Sequence, residues 1–79
     1  MRVYRVVFDV KECRTENTYF YELFAKNKAD AIAETEKRWY MKHKQHMFHK
    51  RAEIINTENP ISRFQWDIEE NFKRWTFAT

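Results

Sequence analysis

The residues best suited to chemistry are concentrated in one stretch, residues 37–51, with the sequence KRWYMKHKQHMFHKR. This stretch, termed the basic segment, holds six Lys or Arg, all three histidines and three aromatic residues, but no Asp or Glu. Outside the basic segment there are nine basic and twelve acidic residues, so the net charge of +3 arises from this segment. A local positive field attracts phosphates and acidic protein surfaces, and aromatic rings within it can stack on contact. We therefore predict that the basic segment is a binding surface.

The candidate binding residues are the cations and aromatic side chains of this segment, namely Lys37, Arg38, Trp39, Tyr40, Lys42, Lys44, Phe48, Lys50 and Arg51. One alternative is a solvated helix end, whose long basic side chains cover apolar surface and whose charge suits a helix C-terminus. Binding is favoured because ordinary protein surfaces mix both signs of charge. If all six cations met phosphates, the slope of log K against log salt would approach about −5.

The three histidines, His43, His46 and His49, recur at every third position and raise the question of a metal site. On a continuous helix the first two share a face and the third is rotated away from them. No Cys, Asp or Glu lies nearby in the sequence to complete a tetrahedral ligand set, and the neighbouring cations oppose a dication. We therefore predict no metal and no cofactor, and expect the histidines to add charge under mildly acidic conditions.

Residue types that support catalysis are present but are not assembled. No base or oxyanion group can be assigned beside the single cysteine, Cys13, and the adjacent Glu69 and Glu70 must point in different directions. The chain contains no glycine, which excludes the Gly-rich loops that cradle nucleotide phosphates. We predict that the protein is not an enzyme.

Periodicity identifies the elements that must position the basic segment. Alternating apolar residues predict strands over residues 2–10 and 18–25, joined as an antiparallel hairpin by a charged loop, residues 11–17. Without glycine, the turns are expected to use Asn, which tolerates positive φ. A helix should begin at about Lys28, capped by Asn27, and run into the basic segment.

The rest of the chain predicts a third strand and one ambiguous element. Residues 50–57 alternate weakly, as expected of a strand. The last twenty residues fit either a helix capped by Asn59 or a hairpin with strands on both sides of residues 69–71, and the helix is preferred. The expected fold is a single α+β domain over residues 1–79, with an antiparallel sheet of order β-β-α-β followed by that C-terminal helix or hairpin.

A second apolar face of the sheet needs a cover. Val3, Val7, Phe20 and Phe24 share the face that the first helix cannot reach. The preferred cover is the C-terminal segment, which carries Trp66, Phe72, Trp75 and Phe77. A homodimer or a partner protein on this face is the alternative, because exposed apolar patches mark interaction sites.

The expected location is the cytoplasm. A lone cysteine cannot form an internal disulfide, and no charged-then-apolar leader opens the sequence. The longest apolar run is far below the roughly 20 residues of a spanning helix, so no membrane segment is predicted.

Two stretches carry a resemblance, YRVVFDV and TYFYELFAKNKADAIAETEKRW, which together cover about the first half of the chain. They resemble the strand-strand-helix opening of small accessory proteins encoded by phages and mobile elements, a group that includes anti-CRISPR proteins and other host-takeover inhibitors. The resemblance implies an inhibitor or regulator that engages a host protein or ribonucleoprotein that processes nucleic acid. It carries over no site residues, and direct DNA or RNA binding stays open beside it.

Overall fold

The computed structural model describes residues 1–77, which form a four-stranded antiparallel sheet and two helices. The elements in chain order are β1 (Arg2–Glu12), β2 (Thr15–Ala25), α1 (Lys28–His43), β3 (Phe48–Ile55), β4 (Gln65–Trp66) and α2 (Ile68–Phe77). The strands lie side by side in the order β3-β1-β2-β4. The predicted α+β class is confirmed. Neither helix has the length and apolar character required to span a membrane.

The β1–β2 hairpin is longer than its alternating pattern indicated. The pair stays in register from Arg2 opposite Ala25 to Glu12 opposite Thr15, so most of the predicted loop is strand. Cross-strand pairing continues through these charged residues because exposed side chains do not interrupt backbone hydrogen bonds. The predicted use of Asn for positive φ is wrong, since within residues 1–77 these angles belong to Cys13, Lys44 and His49.

Helix α1 begins and ends at identifiable caps. The side chain of Asn27 accepts a hydrogen bond of 2.8 Å from the backbone N–H of Asp30, as predicted. At the other end, Lys44 adopts the left-handed conformation, with φ 57°, and its N–H donates to the carbonyl of Tyr40 at 2.8 Å. Helix α1 therefore ends near the middle of the basic segment.

The core lies between α1 and one face of the sheet. Its buried residues are Tyr4, Val6, Phe8, Val10, Tyr21, Leu23, Ala25, Ala31, Trp39 and Met47. Trp39 is central, with its ring centroid 5.1 Å from that of Phe8 and 4.9 Å from that of Phe64. Edge-on aromatic contacts of this kind add to the gain from burial.

The C-terminal region combines parts of both predicted alternatives. Residues 65–66 form a short strand beside β2, and only then does a helix begin at Ile68. Its cap is Asp67, whose Oδ1 accepts from the N–H of Glu70 at 3.1 Å, so the predicted cap at Asn59 is wrong. A carboxylate at this position satisfies a free N–H of the first turn and suits the helix dipole.

Helix α2 does not cover the second sheet face with apolar side chains, which corrects the preferred expectation. Its buried residue is Asn71, whereas Ile68, Phe72 and Trp75 are 71%, 69% and 61% exposed. On the sheet itself Phe24 is 51% exposed. Part of this face therefore stays open to solvent, and a homodimer through it stays a prediction. The side chain of Phe77, also expected here, lies outside the described residues.

Candidate functional site

The fold divides the basic segment among three places, so its cations do not share one surface. Residues 37–43 belong to the second half of α1, residues 44–47 connect α1 to β3, and residues 48–51 open β3. Strand β3 is the outer strand beside β1. Because α1 packs on one sheet face only, side chains that alternate along β3 divide between that face and the opposite one.

One part of the segment forms a cationic surface at the end of α1. This surface, termed the α1 cationic end, consists of Lys37, Tyr40, Lys42, Lys44 and His46, all of them exposed. The Lys44 ammonium lies 5.8 Å from the centre of the Tyr40 ring, and the His46 ring lies 5.4 Å from it. Among residues 1–77, none of the three lysines has an acidic partner within ion-pair distance.

The other three predicted cations are engaged within the fold. Arg38 donates to Glu34 at 2.9 Å and also to the hydroxyl of Tyr21. Lys50 pairs with Glu36 across the gap between β3 and α1. Glu34 lies beside Arg38 because residues four apart share a face of a helix. Glu36 reaches Lys50 because α1 packs against the sheet next to β3.

Arg51 lies on the opposite side of the sheet from Lys50, where its guanidinium donates to the carbonyl of His49 at 3.1 Å. It stands opposite Val7 in the β1–β3 pairing. The segment that appeared continuous in sequence therefore presents cations to both faces of the sheet.

Two of the three predicted aromatic contacts do not reach the α1 cationic end. Trp39 is 2% exposed and belongs to the core, which removes it from any outer surface. Phe48 is 40% exposed, but it lies at the start of β3 beneath the Lys11 ammonium, 5.1 Å from its ring centre. Only Tyr40 remains as an aromatic side chain among the surface lysines.

The histidines also separate. His43 lies against Trp39, with ring centres 3.9 Å apart, and His46 lies against Tyr40. His49 instead turns toward two carboxylates, with its Nδ1 2.9 Å from Asp9 Oδ2 and 3.1 Å from Glu16 Oε1.

Sequence reasoning missed this Asp9, Glu16 and His49 cluster because it examined only neighbours along the chain. Asp9 and His49 are 40 positions apart. The antiparallel register of β1 with both neighbouring strands brings the three side chains together, so that their ligand atoms lie within 4.8 Å of one another. The sequence predicted that residues 2–10 pair with a neighbouring strand. It did not give the register, which decides which residues of the strands lie opposite one another.

Asp9 is the most buried member of the cluster, with 5% exposure. Burial alone would raise the pKa of its carboxyl group. Hydrogen bonds from Thr18 and His49, with the charges of Arg74 and Arg51, outweigh burial and lower that pKa below its usual 3.8. Asp9 therefore stays ionised.

No family model matches this chain, and neither a curated protein nor a solved structure is significantly similar to it.

Proposed function

We propose that this protein acts by stoichiometric binding, docking the α1 cationic end on an acidic surface of a partner protein. The observation that carries the proposal is the group of three lysines at the C-terminal half of α1, Lys37, Lys42 and Lys44, none of which forms an ion pair with an acidic side chain of residues 1–77. Lys44 also lies over the ring of Tyr40. Cations without an ion-pair partner keep a positive field toward solvent, which steers an acidic partner and fixes its orientation.

A protein partner is favoured over direct nucleic-acid binding by the positions of the aromatic rings. Single-stranded nucleic acid binds on aromatic platforms whose faces are open to successive bases. Here Trp39 is in the core, and the ring of Tyr40 already contacts Lys44 and His46. The surface supplies charge but little room for base stacking.

The resemblance of the first half of the chain to phage and mobile-element accessory proteins supports a more specific form of this proposal. The partner is then a host protein or ribonucleoprotein that processes nucleic acid, and this chain is its inhibitor or regulator. The α1 cationic end then engages an acidic patch of that partner and occludes it. The expected setting is the cytoplasm, which agrees with a single exposed thiol, Cys13.

The first test compares two charge variants of equal net charge. The test variant replaces Lys37, Lys42 and Lys44 with Glu. The control replaces Arg2, Lys26 and Lys28 with Glu. Lys28 is about 20 Å from Lys42 along the helix axis. Immobilised wild type and control should capture the same host protein, and the test variant should retain less than about a tenth of it. Equal capture by all three, with unchanged circular dichroism, would overturn the proposal.

The second test addresses nucleic acid directly. Fluorescence anisotropy with labelled DNA and RNA, single-stranded and duplex, should show no saturable binding at either low or physiological salt. If binding appears with a log K slope of about −3 against log salt, and vanishes in the test variant, the three lysines contact phosphates and the protein-partner proposal fails.

A further inference from the structure

Three side chains from three adjacent strands converge on the side of the sheet away from α1. Asp9 comes from β1, Glu16 from β2 and His49 from β3. Between Val7 and Asp9 of β1 the β3 register shifts, and His49 takes φ 50° within this bulge. A bulge re-aims the side chain it carries. Here it directs an imidazole nitrogen at two carboxylate oxygens.

The two oxygens of Asp9 have different partners. Oδ1 accepts from the Thr18 hydroxyl at 2.6 Å and lies 3.6 Å from the Arg74 guanidinium. Arg74 also donates to the carbonyl of Glu16 and to Thr18 Oγ1. Among residues 1–77, Oδ2 has His49 as its hydrogen-bond partner. Outer hydrogen bonds that hold a carboxylate in one orientation and leave one oxygen free are typical of the support around metal ligands.

Glu16 supplies an independent observation. Its Oε1 is shielded from solvent but accepts no hydrogen bond within the described chain. A single imidazole nitrogen carries at most one proton, and Asp9 Oδ2 is the nearer acceptor at 2.9 Å, against 3.1 Å for Glu16. The Glu16 side chain is 34% exposed, but its shielded Oε1 has neither water nor, among residues 1–77, a donor to stabilise its charge. A cation between the three atoms would satisfy all of them at once.

The spacing and chemistry of the three atoms select the kind of ion. Ligands about 2.0–2.2 Å from a tetrahedral zinc lie about 3.3–3.6 Å from one another. His49 Nδ1 is 2.9 Å from Asp9 Oδ2 and 3.1 Å from Glu16 Oε1, so these atoms need to separate by less than about 1 Å to admit the ion. An imidazole with two carboxylates suits zinc and similar transition metals, whereas magnesium and calcium prefer oxygen ligands alone. His49 is exposed, which leaves a fourth position open to water.

We propose that Asp9 Oδ2, Glu16 Oε1 and His49 Nδ1 form a binding site for a zinc-class divalent metal ion that ties β3 to the β1–β2 hairpin. The two carboxylates balance the ion's charge, and Arg74 contacts the opposite edge of Asp9, away from the coordinating atoms. The site lies apart from the α1 cationic end and does not depend on the proposed function.

Isothermal titration calorimetry of the tag-free, EDTA-treated full chain with zinc chloride tests this site. Wild type should bind one zinc ion per chain and should not bind magnesium. His49→Ala and Glu16→Gln should each weaken zinc binding at least about 10-fold, while the control His46→Ala should not change it. Cobalt(II) should give the visible absorption of a tetrahedral centre. Free zinc at about 100 times the dissociation constant should raise Tm by about 10–20 °C.

Two results would overturn the site. The first is absence of saturable zinc binding by wild type. The second is an equal loss of affinity in His49→Ala and His46→Ala, which would reveal nonspecific binding by surface imidazoles. Both replaced side chains at the site are partly or fully exposed, so the variants should fold, and Tm in EDTA verifies this. If His49→Ala is unfolded, His49→Gln, which keeps a polar side chain of similar size, replaces it in the comparison.

Discussion

Tyr19 shows how one residue responds to its surroundings in this thin domain. Its hydroxyl donates to Glu12 Oε1 at 2.8 Å, and its ring lies 5.3 Å from that of Trp39. Burial, reinforced by the hydrogen bond and charge of Glu12, raises the pKa of Tyr19 from 10.0 to about 12. The folded state therefore holds this proton more tightly than the unfolded chain does.

A pH prediction follows from that shift. The contribution of Tyr19 to stability is fully present below pH 10 and is lost as the pH rises from 10 to about 12, because the unfolded chain loses the proton first. In Glu12→Gln the pKa of Tyr19 should move back toward 10, measured by NMR titration of its ring. Glu16→Gln is the control and should leave it unchanged. Equal shifts in both variants would contradict a role for Glu12.

Trp39 is the residue on which the core most depends. Its indole is buried among Phe8, Tyr19 and Phe64, and its Nε1 has no hydrogen-bond partner within the described chain. Trp39→Ala should cost about 3–5 kcal/mol of unfolding free energy, close to the whole stability of a small domain. Trp39→Phe should cost less, because it keeps an aromatic ring and removes the unpaired N–H.

Urea denaturation measures both variants. Trp66→Ala is the control, since Trp66 is 42% exposed and its loss should cost less than about 1 kcal/mol. If Trp39→Ala proved no more destabilising than this control, Trp39 could not be the centre of the core.

At the scale of elements, α2 is attached to the sheet by polar contacts. The Asn71 side chain accepts from the Thr18 N–H at 3.0 Å and donates to the Thr18 carbonyl at 2.8 Å, and it also contacts the carbonyl of Asp67. The Asn71 side chain thus makes with Thr18 the pair of backbone hydrogen bonds that a residue of a neighbouring strand would make. Arg74 adds bonds to Glu16 and Thr18. The apolar residues of α2 contribute little to this attachment because they remain exposed.

Asn71→Ala should release α2 while the hairpin stays intact. It leaves the buried N–H of Thr18 without a partner, at a cost of about 1–3 kcal/mol, while the Thr18 carbonyl keeps the hydrogen bond from the Asp67 N–H. Amide hydrogen exchange should accelerate in residues 68–77 more than in β1. Phe72→Ala, on the exposed side of α2, is the control and should leave exchange in β1 and α2 close to wild type. Uniform acceleration across all elements in Asn71→Ala would contradict a local anchor.

For the whole molecule, one helix layer on one sheet face sets the stability. The principal extents of 42 × 26 × 17 Å describe a flat molecule, and a chain of this size buries only about 60% of its unfolded surface. Helix α1 and strands β1 and β2 share that single core, so neither layer can bury its apolar side chains without the other.

Unfolding of α1 and the sheet should therefore be one cooperative transition. With Trp66 and Trp75 replaced by Phe, fluorescence reports Trp39 alone and far-ultraviolet circular dichroism reports all elements. Their urea midpoints should coincide. Separate midpoints would mean that α1 leaves the sheet before the strands separate. The same variant with Asn71→Ala controls for any independent fraying of α2.

The sequence alone determined the features that depend on local periodicity and composition. Alternation identified β1 and β2, the Asn27 cap placed the start of α1, and the charge count located the cations around Lys37 to Lys44. These features depend on neighbouring residues, whose spacing along a strand or helix is fixed by backbone geometry.

Only the tertiary structure decided which side chains are inside and which distant ones meet. It placed Trp39 in the core because helical rotation, combined with the position of the sheet, turned that residue inward. It divided Lys50 from Arg51, started α2 at Ile68, and brought His49 to Asp9 and Glu16. Strand register and bulges depend on contacts between residues far apart in the chain, and no local pattern encodes them.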